Sequence, residues 1–309
     1  MVNKAVDFGV ILEKCGIGSD TPAVVIKNIA DAESDLAEED KPDFYNYLLS
    51  NIKEGEVLTG VLKMSSAVQT PQILSTLLDI LLLKNSDSDN PDDLINARAL
   101  CAKIIAGYKD TSAVGALLYC LNNKNENYKV RLACADALGR IGDRYAVKPL
   151  IDVVQDEEEK SVYVQESATF ALGMLGDSSA IDPLISIMEA KQGLIGKFSF
   201  LKERIVEALG KLNPNNKRVL HVLKNALLDS SPMVRINAIE ALMNSDYENA
   251  SEIIRTALND DDDEVKRNAL IALYNMEGRD ILEEIISLPG YGEFLKNEAK
   301  ALIEEYEDE

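Results

Sequence analysis

Along most of the chain apolar residues recur at intervals of three and four, the stripe that one face of an amphipathic helix requires. Five stretches carry the same version of it: 130–139, 164–173, 201–210, 234–243 and 265–274. Counting the first residue of each as position i, apolar or small residues fill i, i+4, i+7 and i+8, with Ala always at i+7 and Leu always at i+8. The leucines follow one another at 34, 37, 33 and 31 residues, which is the signature of an internal repeat. Small residues at i+4 and i+7 predict helices that approach their neighbours closely.

A second apolar-periodic stretch precedes each of these. Gly142-Asp143 and Gly176-Asp177 pair a helix stop with an N-cap, and both lead into Ala-Val/Ile-x-Pro-Leu-Ile, at 146–151 and 180–185. Pro149 and Pro183 suit the first turn of a helix, where no intrahelical N–H is lost. The unit is therefore helix, short polar loop, helix, turn, with loops predicted at 122–127, 156–160, 190–198, 229–232 and 260–263. One period upstream, Ile95, Ala99 and Ala102 reproduce the spacing, but Lys103 stands where leucine is expected, so 66–109 reads as a degenerate repeat region. Residues 1–65 are helical in pattern without fitting the repeat: Gly16 and Gly18 stop one helix, and Ser19, Asp20 and Pro22 open the next.

The Asp-x-x-Ala-Val/Ile-x-Pro-Leu-Ile start and the Val-Arg-x-x-Ala-x-x-Ala-Leu-Gly second helix resemble HEAT repeats, particularly the short HEAT-like repeats of phycobilisome bilin lyases. The resemblance is strongest from Asp110 to Gly278. It implies an all-α fold, a right-handed α-solenoid of HEAT-like helical pairs. The expected organisation is one continuous stack: a non-consensus cap over 1–65, the degenerate region 66–109, five repeats over 110–278, and a helical cap with an acidic tail over 279–309. One helical pair cannot bury its stripe alone, so stability has to come from neighbouring units, and the ends must be polar.

Composition fits this picture. Apolar residues make up 46% of the chain, yet Trp is absent and aromatics reach only 6%, so packing is by small and aliphatic side chains. With 32 Lys and Arg against 53 Asp and Glu the formal charge is −21, which disfavours duplex nucleic acid, whose binding depends on neutralising phosphates. The acidity is concentrated at the ends: residues 1–100 hold 8 basic and 17 acidic residues, and 251–309 hold 6 and 17. Residues 101–150 reverse it with 8 basic and 4 acidic, an island that includes Lys129, Arg131, Arg140, Arg144 and Lys148.

Catalytic and metal constellations fail on residue supply. His221 is the only histidine, and Val222 follows it, whereas the iron hydroxylases built from HEAT repeats need several His-Glu pairs. Four widely spaced cysteines form no CxxC pair, which predicts reduced thiols. The acidic run 260–264 lacks the sixth-position glycine of an EF-hand loop, where Val265 stands, and reads as a helix-capping loop. Gly16-Ile17-Gly18 has Thr21 in place of the third glycine of a dinucleotide fingerprint. No cofactor is expected. The N-terminus has no signal-peptide core, and the stretch 73–83, broken by Asp79, is too short for a membrane span, so a cytoplasmic monomer is expected.

Two features remain as partner-binding candidates. One is the largely cationic i+1 position of the second helices: Arg131, Gln165, Lys202, Arg235 and Lys266. The resemblance implies that such a series pairs with loop acids of adjacent repeats; contact with an anionic partner is the alternative. The other is the long loop of the third repeat, which places Leu194, Ile195, Phe198 and Phe200 among glycines and lysines, with Tyr163 and Phe170 of the preceding second helix expected beside it. The alternative is that Phe198 and Phe200 begin the next helix and face the core. The expected function is a non-enzymatic scaffold that holds a protein partner on the concave face lined by second helices. A bilin lyase-like or tetrapyrrole-handling role is the alternative implied by the resemblance.

Overall fold

A computed structural model describes residues 6–84, 91–190, 199–212 and 215–307, and among these it contains helices, short 3₁₀ turns and no strand. Two compact units divide the chain, Met1–Pro149 and Leu150–Glu309.

In the first unit, α1 (Phe8–Lys14), α2 (Pro22–Ser34), α3 (Lys41–Asn51) and α4 (Gly55–Ser65) are followed by α5 (Pro71–Leu81), α6 (Ile95–Tyr108), α7 (Val114–Asn122) and α8 (Tyr128–Ile141). Gly16 and Gly18 take positive φ, and Pro22 opens α2. The even-numbered helices pack in succession, α2 on α4, α4 on α6 and α6 on α8, while α5 pairs with α6 and α7 with α8. The second helices of the repeat thus form one layer and the first helices cover it.

Helix α9 (Val147–Gln155) leads into the second unit, which continues through α10 (Val162–Leu175), α11 (Ile181–Ala190), α12 (Ser199–Leu212), α13 (Lys217–Ala226) and α14 (Pro232–Met243). It ends with α15 (Ala250–Arg255), α16 (Asp263–Glu277), α17 (Asp280–Ser287) and α18 (Glu293–Glu307). Its layer of second helices runs α10, α12, α14, α16, α18, with α11, α13, α15 and α17 paired against them.

The repeat junctions follow from local chemistry. Gly142 and Gly176 end α8 and α10 in the left-handed conformation that glycine adopts without steric cost. Asp143 and Asp177 then cap a 3₁₀ turn, accepting from the Tyr145 and Ser179 amides at 2.9 and 3.0 Å. Pro149 and Pro183 fall in the first turn of α9 and α11. Asp110 repeats this cap one unit earlier, accepting from Ser112, but there Lys109 holds the left-handed position at φ 51°.

The repeat register of α6 needs correction. Ile95 and Ala99 are only half-buried, whereas Ala97, Cys101 and Ile105 are buried. These three stand 33 residues before Val130, Cys134 and Leu138, so the stripe lies two residues later than Ile95 suggests and Lys103 faces outward. Ile105 fills the place of the missing leucine. The shift brings Arg98 to the i+1 position, in register with Arg131.

Candidate functional site

The i+1 side chains sit at the entrance of each second helix, beside the C-terminal end of the first helix of the same repeat. A helix end leaves carbonyls without intrahelical donors, and these side chains supply them. Arg98 donates from Nε to the Leu81 carbonyl at 2.9 Å, and Arg131 from Nε to the Leu121 carbonyl at 2.8 Å. Gln165 donates to the Val154 and Asp156 carbonyls at 3.2 and 3.1 Å, and Arg235 to the Asp229 carbonyl at 2.7 Å.

Several also reach forward to an acid of the following repeat. Arg98 grips both oxygens of Glu126, Lys202 Nζ lies 2.8 Å from Asp229 Oδ2, and Arg235 pairs bidentately with Asp260 at 2.7 and 2.8 Å. Lys266 bonds Asp263 on its own helix at 2.6 Å and lies over the Phe294 ring of α18. As surface contacts for an anionic partner, Arg131, Lys202 and Arg235 are therefore corrected. Arg131 is buried on a carbonyl of its own repeat, and the other two are largely covered with their charges on acids of the following repeat. Burial works against the Asp229 carboxylate, but Lys202 and the Ser231 amide outweigh it and hold its carboxyl below the usual range.

Among the remaining candidates, Arg140 is exposed near the end of α8, and Tyr163 and Phe200 are exposed at the starts of α10 and α12. Phe200 begins a second helix, as one reading anticipates, but does not face the core. Leu194, Ile195 and Phe198 lie outside the described residues. Phe170 stands two turns, about 10 Å along the axis, from Tyr163 on α10, and the loop expected beside them lies outside the described residues.

Phe170 instead anchors a charged cluster between α10 and α12. Lys211 Nζ and the Arg204 guanidinium lie 5.2 and 5.5 Å from its ring centroid, within cation–π range. Arg204 binds Glu166 at 3.1 Å and Glu207 at 2.8 Å, and Lys211 binds Glu207 at 2.5 Å, so one carboxylate bridges the two cations. Burial raises the Glu207 carboxyl, yet Lys211 and Arg204 overcome this and hold it below its ordinary value.

Immediately beside the cluster, Glu207, Gly210 and Lys211 of α12 face Asn237, Glu240 and Ala241 of α14 and its C-cap Asn244 across a cleft of about 250 Å³. Gly210 and Ala241 make the approach possible, because a Cβ on Gly210 would stand 2.6 Å from that of Ala241. A Cβ on Gly173 would stand 3.2 Å from the Ala208 Cα in the same i+9 to i+7 relation, so α10, α12 and α14 lie side by side with the same offset. The arrangement can offer a partner ion pairs, amides and an aromatic ring on one helical face.

None of Arg204, Glu207, Lys211 and Asn237 is among the sequence candidates. They occupy i+3, i+6 and i+10, where no residue type is common to all five repeats: Glu recurs only at Glu207 and Glu240, and Asn at i+3 only at Asn237 and Asn268. Arg98 did carry a signal: Arg-x-x-Cys-Ala occurs at 98–102 and again at 131–135.

His221 is exposed on α13, with its Nε2 3.2 Å from the Asn225 amide. Among the described residues no group of three or more His, Cys, Asp or Glu side chains could hold a metal ion, and no helix is long and apolar enough to cross a membrane.

The family model for HEAT repeats matches residues 80–163 and 199–274, just over half of the chain. The chain belongs to the HEAT-repeat family. Between those two HEAT segments, residues 164–189 match the PBS lyase HEAT-like repeat, so the resemblance to bilin lyase repeats holds at the level of sequence. No curated protein matches this HEAT chain. Among solved structures it is similar to the complex of CpcE and CpcF of phycocyanin lyase from Nostoc, with 23% identity and TM-score 0.49 over 75% of this chain and 87% of that one. Human deoxyhypusine hydroxylase is similar over 88% and 97% of the two chains at 16% identity and TM-score 0.37. An engineered protein is similar over 71% and 96% at 18% identity and TM-score 0.40.

Proposed function

We propose that this HEAT-repeat protein is a non-enzymatic scaffold that holds a protein partner on the face of its second helices, centred on α10, α12 and α14. One observation carries the reading: the Phe170–Arg204–Glu207–Lys211 cluster adjoins the cleft between α12 and α14, joining an aromatic ring, charges and amides on one pre-formed surface. Surfaces that combine an aromatic or Arg anchor with a polar surround are those at which partner binding concentrates. The side chains are held by one another, so little ordering entropy opposes association.

The test is capture of partners from native extract by the intact chain and by Phe170→Ala and Asn237→Asp with Asn244→Asp. A partner retained by the parent and lost from these variants at unchanged helicity supports the reading; retention by every variant overturns it.

A tetrapyrrole-handling role is the second reading, carried by the match of residues 164–189 to the PBS lyase HEAT-like repeat. Titration with a bilin, followed by visible absorbance, separates the two. A saturable spectral change supports it, and an unchanged spectrum at high ligand concentration removes it.

A further inference from the structure

At the residue before position i, where each second helix begins, α8 and α16 carry charged groups, Lys129 and Glu264. The three second helices α10, α12 and α14 of the second unit carry Tyr163, Phe200 and Met233 there, and these are 58%, 64% and 49% exposed. The residues that follow them, Val164, Leu201 and Val234, are buried, so the helices are anchored and the large side chains before them are left outside. Leu228, 85% exposed, adds to the same edge from the loop that enters α14.

Because the three helices share one offset, as the Gly173–Ala208 and Gly210–Ala241 approaches require, these residues form a row. Neighbouring packed helices stand about 8–10 Å apart, so the row extends roughly 20 Å. Contiguous exposed apolar side chains of this size mark an interaction site more often than a random surface does.

Charge selects the occupant. The loop ahead of Tyr163 presents Glu157 and Glu158 to solvent, and the loop beyond Met233, leading into α16, presents Asp261. Lys160 is the only base in these two loops, while the segment that precedes α12 carries Lys191 and Lys197 in sequence. The second unit as a whole holds 16 basic and 32 acidic residues, so a second copy presenting its own second unit would meet like charge at the row. Complementarity requires cations that flank apolar anchors.

We infer that this edge docks a basic amphipathic segment of another protein, with large apolar side chains seated on Phe200, Met233 and Tyr163 and Lys or Arg residues between the loop acids. This row lies two turns, about 10 Å, before the Phe170 cluster on the same helices, and substitutions at Phe200 and Met233 that leave the cluster intact read the two assignments separately.

The test uses the full chain and fluorescence anisotropy with three labelled peptides of equal length: a Leu/Lys amphipathic helix, its Leu/Glu counterpart, and a Ser/Lys peptide without apolar anchors. The Leu/Lys peptide should bind, the Leu/Glu peptide should not, and the Ser/Lys peptide should bind at least tenfold more weakly. Phe200→Ser with Met233→Ser should weaken Leu/Lys binding at least tenfold at unchanged helicity. Glu157→Gln with Glu158→Gln and Asp261→Asn should weaken it severalfold, while Glu304→Gln with Glu305→Gln, on the last turns of α18, should leave it unchanged. Equal weakening by both sets of acid substitutions would mean attraction to net charge alone and would overturn the inference. So would indifference to the Phe200 and Met233 changes, or a concentration-dependent dimer abolished by them.

Discussion

Gly210 and Ala241 face each other so closely that a methyl group on the first would fall 2.6 Å from the methyl of the second. Real side chains do not tolerate that separation, so α12 and α14 must part if Gly210 acquires one. Alanine is the better helix former by about 1 kcal/mol, so the sign of the change shows which effect wins. Gly210→Ala should destabilise the protein by about 1–3 kcal/mol through overpacking, read from the urea midpoint at constant m-value. Adding Ala241→Gly should recover most of the loss, and a neutral or stabilising single substitution would disprove the close approach.

Arg98 should be costlier to remove than any exposed cation. Its guanidinium is buried against the Leu81 carbonyl and Glu126, so Arg98→Leu leaves a nearly buried carboxylate without its counter-charge, held only by the Asn127 amide, and takes the guanidinium donor from a helix-end carbonyl. Breaking such a pair from one side costs about 3–5 kcal/mol. Equilibrium denaturation should give a loss in that range for Arg98→Leu and a smaller one for the double variant Arg98→Leu with Glu126→Leu. For Arg279→Leu, whose ion pair with Glu283 is exposed, the loss should stay below about 1 kcal/mol.

Stability should fall on acidification. Asp229, Glu207 and Glu298 all have carboxyls held below their ordinary values by paired cations. Their folded-state values thus lie under the unfolded ones. The stabilisation is complete above the unfolded carboxylate range, near pH 4, and is lost as pH falls through the folded values. Thermal midpoints recorded from pH 7 to pH 3 should decline mainly below pH 5. Lys202→Met, which takes away a partner of Asp229, should reduce stability at pH 7 and flatten that decline.

Lys109→Gly should stabilise. Lys109 ends α6 at φ 51°, the place that glycine holds at Gly142 and Gly176, and the left-handed conformation costs a side-chain-bearing residue about 1 kcal/mol. A rise of several tenths to 1 kcal/mol in unfolding free energy is expected, and a fall would show that the lysine side chain contributes more than its backbone costs.

The sequence made the helical pairs legible because the same physical demand recurs in every unit. Ala at i+7 and Leu at i+8 are read directly from the repeats, and the Gly-Asp and Pro signals mark the junctions. Arg98 is hidden in the Ile95 register, which puts Lys103 in the leucine column, although the Arg-x-x-Cys-Ala it shares with Arg131 gives the correct one. The Phe170 cluster was only half legible. Its ring stood out as an aromatic in a chain poor in them, but Arg204, Glu207 and Lys211 are ordinary surface residues until α10 and α12 are set side by side. Tyr163 and Phe200 were singled out by size and Met233 was not, since only the common offset of three helices turns separate residues into a row.

The forward reach of Lys202 to Asp229 and of Arg235 to Asp260 gives the stack a direction. At these junctions a repeat lends a cation to its successor. Trimming the chain from the carboxyl side would strand a covered cation beside a vanished acid, whereas trimming from the amino side would leave only a loop carboxylate that water can solvate. Fraying should therefore be asymmetric, and synthesis from the amino end adds the acids in the order in which the waiting cations need them.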